Sequence, residues 1–266
     1  MTKAWKAGLF GALALASIAP AAQADDEGAW GPFTAGVSLT SDYRFRGISN
    51  SDRDAAIQGW LQYDHAMGFY ANIWASTIDF NDEFAHDSSV EVDLTVGYNY
   101  AFSDQTNAGI KLVYYWYPDA DTPPTLRDYD YFEAIATVGH DFGVASVSGE
   151  LAWSPDFFAE TGDAVSLKAG VSAPVLEKFA FMDGLTASAN VGYQWIDSNI
   201  SAPPGLPGFY GTPDYLYYDF GVSAGWEIFT IDLRWVDTDL DKGECFGGTD
   251  LCDGGVTLSL TAALPG

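Results

Sequence analysis

The segment Val90-Glu91-Val92-Asp93-Leu94-Thr95-Val96-Gly97-Tyr98-Asn99-Tyr100-Ala101 decides the fold. Val90, Val92, Leu94, Val96, Tyr98 and Tyr100 fall on one side of an extended chain, and Glu91, Asp93, Thr95, Gly97 and Asn99 fall on the other. Side chains of a strand alternate between faces, so this pattern is a β-strand with one apolar and one polar face. It is also long: strands of soluble proteins run about five to six residues, whereas a tilted strand crossing a bilayer needs about nine to eleven. Leu185–Trp195 repeats the pattern, with Leu185, Ala187, Ala189, Val191, Tyr193 and Trp195 alternating with Thr186, Ser188, Asn190, Gly192 and Gln194.

Reading outward in the same way predicts twelve strands: Phe33–Thr40, Ala56–Asp64, Phe69–Ile78, Ser89–Ala101, Thr106–Tyr117, Tyr129–His140, Val144–Ser154, Ala164–Ala173, Leu185–Trp195, Tyr215–Trp226, Phe229–Val236 and Val256–Leu264. The connections alternate in length. Short ones fall at His65–Gly68, Phe102–Gln105, Asp141–Gly143, Pro174–Gly184 and Glu227–Ile228. Long ones fall at Ser41–Ala55, Asp79–Ser88, Pro118–Asp128, Pro155–Asp163, Ile196–Asp214 and Asp237–Gly255. Such sorting is expected of an up-and-down barrel with short inner turns and long outer loops. In hydrocarbon every backbone N–H and C=O must be paired, so strands that span it must close into a ring. The expected fold is therefore all-β: a single transmembrane antiparallel up-and-down barrel of about twelve strands over residues 25–266. A soluble β-sandwich is the competing architecture.

The N-terminus supports export. Lys3 and Lys6 precede the short apolar run Leu9–Ile18, and Ala22-Gln23-Ala24 has the small-x-small form of a cleavage site, so residues 1–24 read as a signal peptide. That run is too short for a transmembrane helix, which needs about twenty residues. The chain carries a formal charge of −26, which excludes nucleic-acid binding through clustered Lys and Arg. Its 48% hydrophobic and 15% aromatic content excludes disorder. Cys245 and Cys252 lie in a Gly- and Asp-rich stretch, where a local disulfide is expected after export. A metal site is the rival reading, but no His or third Cys lies near.

Aromatic residues gather at the apolar strand ends. Tyr114, Trp116, Trp153, Tyr193, Trp195 and Trp235 lie on the loop side, and Tyr98, Tyr100, Trp226 and Phe229 on the turn side. Two interfacial belts are the expected meaning. The polar faces carry Glu91, Asp93, Lys111, Glu133, Glu150, Lys168, Asp219, Asp232 and Arg234. These should point into the lumen, since a Lys or Arg facing lipid at midplane costs about 2–4 kcal/mol. Acids outnumber bases among them, which favours cations in a narrow pore. The alternative is a filled interior bridged by pairs such as Asp232 with Lys168 or Arg234. Glu133 and Glu150 could also lie side by side on neighbouring strands. Gly97, Gly109, Gly170, Gly192, Gly221 and Gly225 either make lumen space or permit strand curvature.

The segment from Leu39 to Gly59, with Asp42-Tyr43-Arg44-Phe45-Arg46-Gly47 at its centre, resembles the N-terminal signature of the TorF-like porin family of proteobacterial outer membranes. Gly68–Ser76, Val90–Leu94 and Tyr129–Glu133 are also similar to that family's pattern. The resemblance implies an outer-membrane barrel passing small hydrophilic solutes or ions, with outer-membrane lipid and lipopolysaccharide as surroundings. A closed structural barrel is the other implied possibility. Within the signature, Arg44 and Arg46 share one face of an extended chain and Tyr43 and Phe45 the other. With Arg53 the arginines either fold inward as a constriction, pair with Asp42, Asp52 and Asp54, or capture anionic groups such as those of lipopolysaccharide. One departure is the C-terminus, which ends Leu264-Pro265-Gly266 rather than on an aromatic residue.

The loops are acidic: Asp79, Asp82, Glu83 and Asp87 form one cluster, and Asp237, Asp239, Asp241 and Glu244 another. The second lacks the full spacing of a calcium loop. His65, His86 and His140 are scattered, and no nucleophile elbow or zinc-protease motif occurs. The sequence therefore calls for no cofactor and no catalysis.

Overall fold

The computed structural model describes residues 31–80, 88–120, 128–197, 212–246 and 248–264. The expected signal peptide, together with Asp82, Glu83, His86 and Asp87, lies outside these residues.

Twelve strands close into an antiparallel barrel: β1 (Phe33–Thr40), β4 (Ala56–Asp64), β5 (Phe69–Thr77), β6 (Val90–Ala101), β7 (Thr106–Trp116), β8 (Tyr131–Asp141), β9 (Ser146–Ser154), β10 (Ala164–Leu176), β11 (Asp183–Ile196), β12 (Tyr215–Trp226), β13 (Phe229–Thr238) and β14 (Gly255–Leu264). Each pairs with its neighbours in the chain, and β1 pairs with β14 to complete the ring, Ala35 opposite Leu264 and Thr40 opposite Ser259. The remaining two strands, β2 (Arg44–Phe45) and β3 (Ile48–Ser49), form a separate hairpin.

The wall is inverted relative to a soluble protein. Leu94, Val96, Ile110, Leu112, Leu151, Leu167, Val191, Phe220, Leu233 and Leu258 are all exposed on the outside. Ser38, Gln58, Ser76, Glu91, Glu133, Ser166, Asn190, Gln194 and Thr261 are buried within. A sandwich would bury the aliphatic set against a second sheet; here no second layer exists among the described residues. The aromatic residues expected at strand ends lie on the outward faces, with Tyr100, Tyr114, Trp116, Trp153, Trp195 and Trp226 exposed and Tyr98, Tyr193 and Trp235 half-buried.

Three expectations about the chain path need correction. Pro174–Gly184 is not all turn: β10 runs to Leu176 and β11 starts at Asp183, which shortens the connection and restores the short–long alternation. Asp237 belongs to β13 and is not in the following loop. The stretch Ser41–Ala55 is not a plain outer loop but carries β2 and β3, each too short to display alternation.

Candidate functional site: the lumen and the hairpin that enters it

The hairpin arises from local chemistry. Arg46 and Gly47 form its two-residue turn with φ values of 48° and 90°. Positive φ at both central positions is the geometry that matches strand twist in tight hairpins, and glycine favours it. Gly47 is also needed for proximity: a Cβ there would lie 2.5 Å from Thr238 Cγ2 and 3.1 Å from Tyr217 Cβ. The tip thus touches β12 and β13, three and two strands round the ring from β1, where the segment begins.

Apolar contacts hold both sides of the hairpin. Tyr43 and Phe45 join a cluster with Trp74, Tyr115, Tyr117, Tyr131, Phe157 and Phe158. Tyr115 and Tyr131 are stacked at 4.2 Å, and Phe45 meets Tyr115 edge-on at 5.8 Å. Ile48 packs on the opposite side with Tyr215, Tyr217, Leu251 and the disulfide Cys245–Cys252. Aromatic pairs of this kind add about 0.5–1.5 kcal/mol each beyond area burial.

Polar contacts then fix the hairpin's register. Arg46 donates to Glu133 on β8 and to Gln194 on β11, each at 2.9 Å, and lies over the Phe45 ring at 4.7 Å. Tyr115 donates to the same Glu133 at 2.9 Å. Arg44 turns the other way, donating to Asp42 at 2.6 Å and to the Asp253 carbonyl at 2.8 Å. The expectation that Arg44 and Arg46 share a face is therefore corrected: left-handed backbone at Arg46 breaks the alternation and sends the two guanidinium groups to different walls. Arg53 donates to the Asp250 and Gly254 carbonyls rather than pairing with Asp54. The side chains of Arg44 and Arg46 are only 3% and 7% exposed, so neither is presented to an external anion. Ser49 N donates to the Leu251 carbonyl at 3.0 Å, so the disulfide loop and the hairpin support one another.

The lumen-facing charges are interleaved. Lys168 pairs with Glu150 at 2.9 Å, and Arg234 pairs with both Asp219 and Asp232. The alternative pairing of Asp232 with Lys168 does not form, because Lys168 sits directly opposite Glu150 in the β9–β10 register. Glu133 and Glu150 are not neighbours either; Glu150 stands opposite Thr137, two repeats of the pleat along β8 from Glu133. Lys111, on β7, stands opposite Gly97 and Ile135. Glu91 accepts from Tyr43, Asn50 and Tyr117, and Asp93 lies beside it on the same face of β6. Burial, then the charge of Glu91, raises the Tyr43 phenol well above its ordinary pKa, which keeps it a donor.

Two of the lumen glycines make room for rings. A Cβ on Gly97 would fall 2.4 Å from Tyr70, and one on Gly192 would fall 2.2 Å from Tyr217. Both positions are therefore closed by neighbouring side chains, and Gly192 does so at the level where Tyr217 supports the hairpin.

At the outer rim the acids serve the backbone. Asp237 accepts from Tyr218 and from Thr238 N, Asp239 accepts from Leu216 N, and Asp241 forms a capping box with Glu244. No cluster able to hold a metal occurs among the described residues. Asp119 accepts from Ser88 and Ser89, joining two adjacent loops. Partial burial raises its pKa, but these hydrogen bonds outweigh that and hold it below the usual value.

Sequence reasoning named charged residues for the inward faces and did not name the tyrosines. Tyr115, Tyr117, Tyr131, Tyr215 and Tyr217 occupy inward positions, and all are buried. Their signal was available: they fall on the polar face of their strands within a few residues of the long connections.

An inverted twelve-stranded wall with charged groups and a folded-in loop defines a closed β-barrel of porin-like fold. The chain belongs to the Gcw_chp family, described as a bacterial protein of unknown function, whose pattern matches residues 24–263. No curated protein matches it in sequence. Among solved structures it is similar to the NanC porin, with 8% identity, a TM-score of 0.53, and coverage of 88% of this chain and 99% of that one. It is likewise similar to the KdgM porin in complex with disordered oligogalacturonate, with 7% identity, a TM-score of 0.53, and coverage of 88% and 98%. At such identities the likeness concerns the fold.

Proposed function

We propose that this chain is an exported, TorF-like porin of the outer membrane, giving small hydrophilic solutes or ions a passive route that its hairpin narrows at the outer end. The observation that carries this reading is the inverted wall combined with the Arg46–Glu133 bridge across the lumen. Lipid and lipopolysaccharide are the surroundings such a wall fits, since a continuous aliphatic exterior is stable only against acyl chains. Cell fractionation tests the location, and recovery in the soluble periplasm would contradict it.

The lumen holds more acids than bases, and two of the acids, Glu91 and Asp93, make no ion pair among the described residues. Cations should therefore pass in preference to anions. Purified protein in planar bilayers is expected to give reproducible conductance steps, and a KCl gradient should give a reversal potential of the sign for potassium preference. Anion preference would refute the selectivity.

A closed structural barrel is the second reading, favoured by the packing on both sides of the hairpin. Absence of steps at every voltage and salt concentration would establish it over the channel. No catalytic role is proposed: His65 and His140 lie at inner turns, where His140 meets Thr106, far from the lumen carboxylates in register.

A further inference from the structure

We infer that Glu91, Asp93 and Trp74 form a binding site for an organic ammonium group inside the lumen, just beneath the hairpin. The inference deepens the porin reading by naming a solute class.

Lys111 on β7 attracts Asp93 from beyond bonding distance, yet neither of the two carboxylates, which alternate on the inward face of β6, forms an ion pair among the described residues. Every other lumen carboxylate named above does. Glu91 is 1% exposed and is held by three neutral donors, which orient it without cancelling its charge. Asp93 Oδ1 is buried and has no hydrogen-bond partner. Two carboxylates this close in a water-poor region oppose each other's ionisation, and a cation between them relieves that cost.

An independent observation comes from β4. Gln58 stands opposite Ser76, and Ser76 stands opposite Glu91, so the three face the lumen in one lateral row. Gln58 is 1% exposed, yet neither its Oε1 nor its Nε2 has a partner. A buried amide with both ends unmatched points into the same space as the two acids.

The aromatic surroundings choose the kind of cation. Asp93 stands opposite Trp74 on one side and Tyr115 on the other. Tyr43 packs on Trp74 at 5.4 Å. Aromatic faces attract weakly hydrated ammonium groups, most strongly when the site is desolvated. A strongly hydrated metal ion would need several oxygen ligands in a close shell instead. Approach is from the inner side, where Gln62, Asn72 and Thr95 form the next row and are only half-buried.

The test is saturation-transfer NMR of choline chloride with the detergent-solubilised full-length protein, and competition with KCl at constant ionic strength. Choline is expected to bind, with Asp93→Asn and Glu91→Gln weakening it ~10-fold or more, as loss of a charged partner does. Trp74→Leu should weaken it ~5-fold while leaving the carboxylates in place. Heat-modifiable migration on gels confirms that each variant is folded, and Asp104→Asn at an inner turn serves as the unaffected control. Unchanged binding in folded Asp93→Asn and Trp74→Leu would overturn the site, and so would displacement of choline by potassium with equal affinity. Taken with the bilayer conductance measurement, binding without conductance would remove the channel and leave the site, whereas conductance without binding would do the reverse.

Discussion

The outer third of the lumen and the remainder are built by the same strands yet differ in character. Near the loops, Tyr43, Tyr115, Tyr117, Tyr131, Tyr215 and Tyr217 are buried to the degree of a soluble protein's core. Toward the inner turns, Asn72, Thr95, Asn99, Asn107, Thr137, Ser172 and Ser188 are half-buried, and Ser148 is exposed. The strands do not produce this difference by themselves. It comes from the segment that enters from above, which supplies the second surface against which inward side chains pack. A barrel wall provides polar positions, and a loop decides which of them become dry.

If the hairpin makes the outer end a packed core, breaking its central pair should have the largest effect. Glu133→Ala leaves the buried Arg46 without its carboxylate, and removal of one partner of a buried pair costs about 3–5 kcal/mol. Urea unfolding in lipid vesicles should show this loss, together with larger conductance steps in bilayers. Glu150→Ala, in the wetter part, should cost clearly less because Lys168 can rehydrate. Equal losses would erase the distinction between the two regions.

The disulfide loop is the next lever. The Cys245→Ser, Cys252→Ser double variant removes a short covalent loop, for which about 2–4 kcal/mol is typical. Because Ser49, Arg44 and Arg53 bond to carbonyls between Asp250 and Gly254, single-channel records should also become noisier. A quiet record with unchanged step size would show that the hairpin does not depend on this support.

A finer comparison uses two glycines. Gly192→Ala drives a methyl group into the Tyr217 ring and should cost about 1–3 kcal/mol by overpacking. Gly59→Ala, on the outward face with its nearest neighbour at 3.5 Å, should stay within about 0.5 kcal/mol of the parent. Midpoints of urea unfolding check both.

The smallest effect is expected at the rim. The Asp119 pKa is depressed in the folded protein, so its contribution is complete above the ordinary carboxylate pKa of about 4 and fades as pH falls through its own lower value. Asp119→Asn should therefore lower stability slightly at neutral pH, and the gap between variant and parent should close as pH falls through that lower value. NMR titration of the Asp119 carboxyl carbon would show a midpoint below that of a free aspartate; an ordinary midpoint would disprove the coupling.

Much of the wall was legible in the sequence because alternation of period two persists over Val90–Ala101 and Leu185–Trp195, and the exposed and inward faces are chemically opposite. Strand ends were read within a few residues, and the misplaced turn at Pro174 reflects a proline inside a strand, where a register irregularity accommodates it. The hairpin escaped notice because two-residue strands show no period, although Arg46-Gly47 between Phe45 and Ile48 carries a turn's composition. Of the ion pairs, those between residues two apart, Asp232 with Arg234 and Asp42 with Arg44, were among the readings the sequence offered; those between strands were not legible. Which charges meet depends on the stagger between neighbouring strands, and Arg46 meets Glu133 only because the intervening chain folds across the barrel.

The seam between β1 and β14 carries a further consequence. Ser38 and Thr261 bond across a separation of 223 residues, so the ring stays open until almost the whole polypeptide has been synthesised. Until then the unpaired edges of β1 and β14 remain sticky templates, and pairings so distant in sequence form slowly. Such a chain stays an unfinished ribbon until its last segment acts as the clasp.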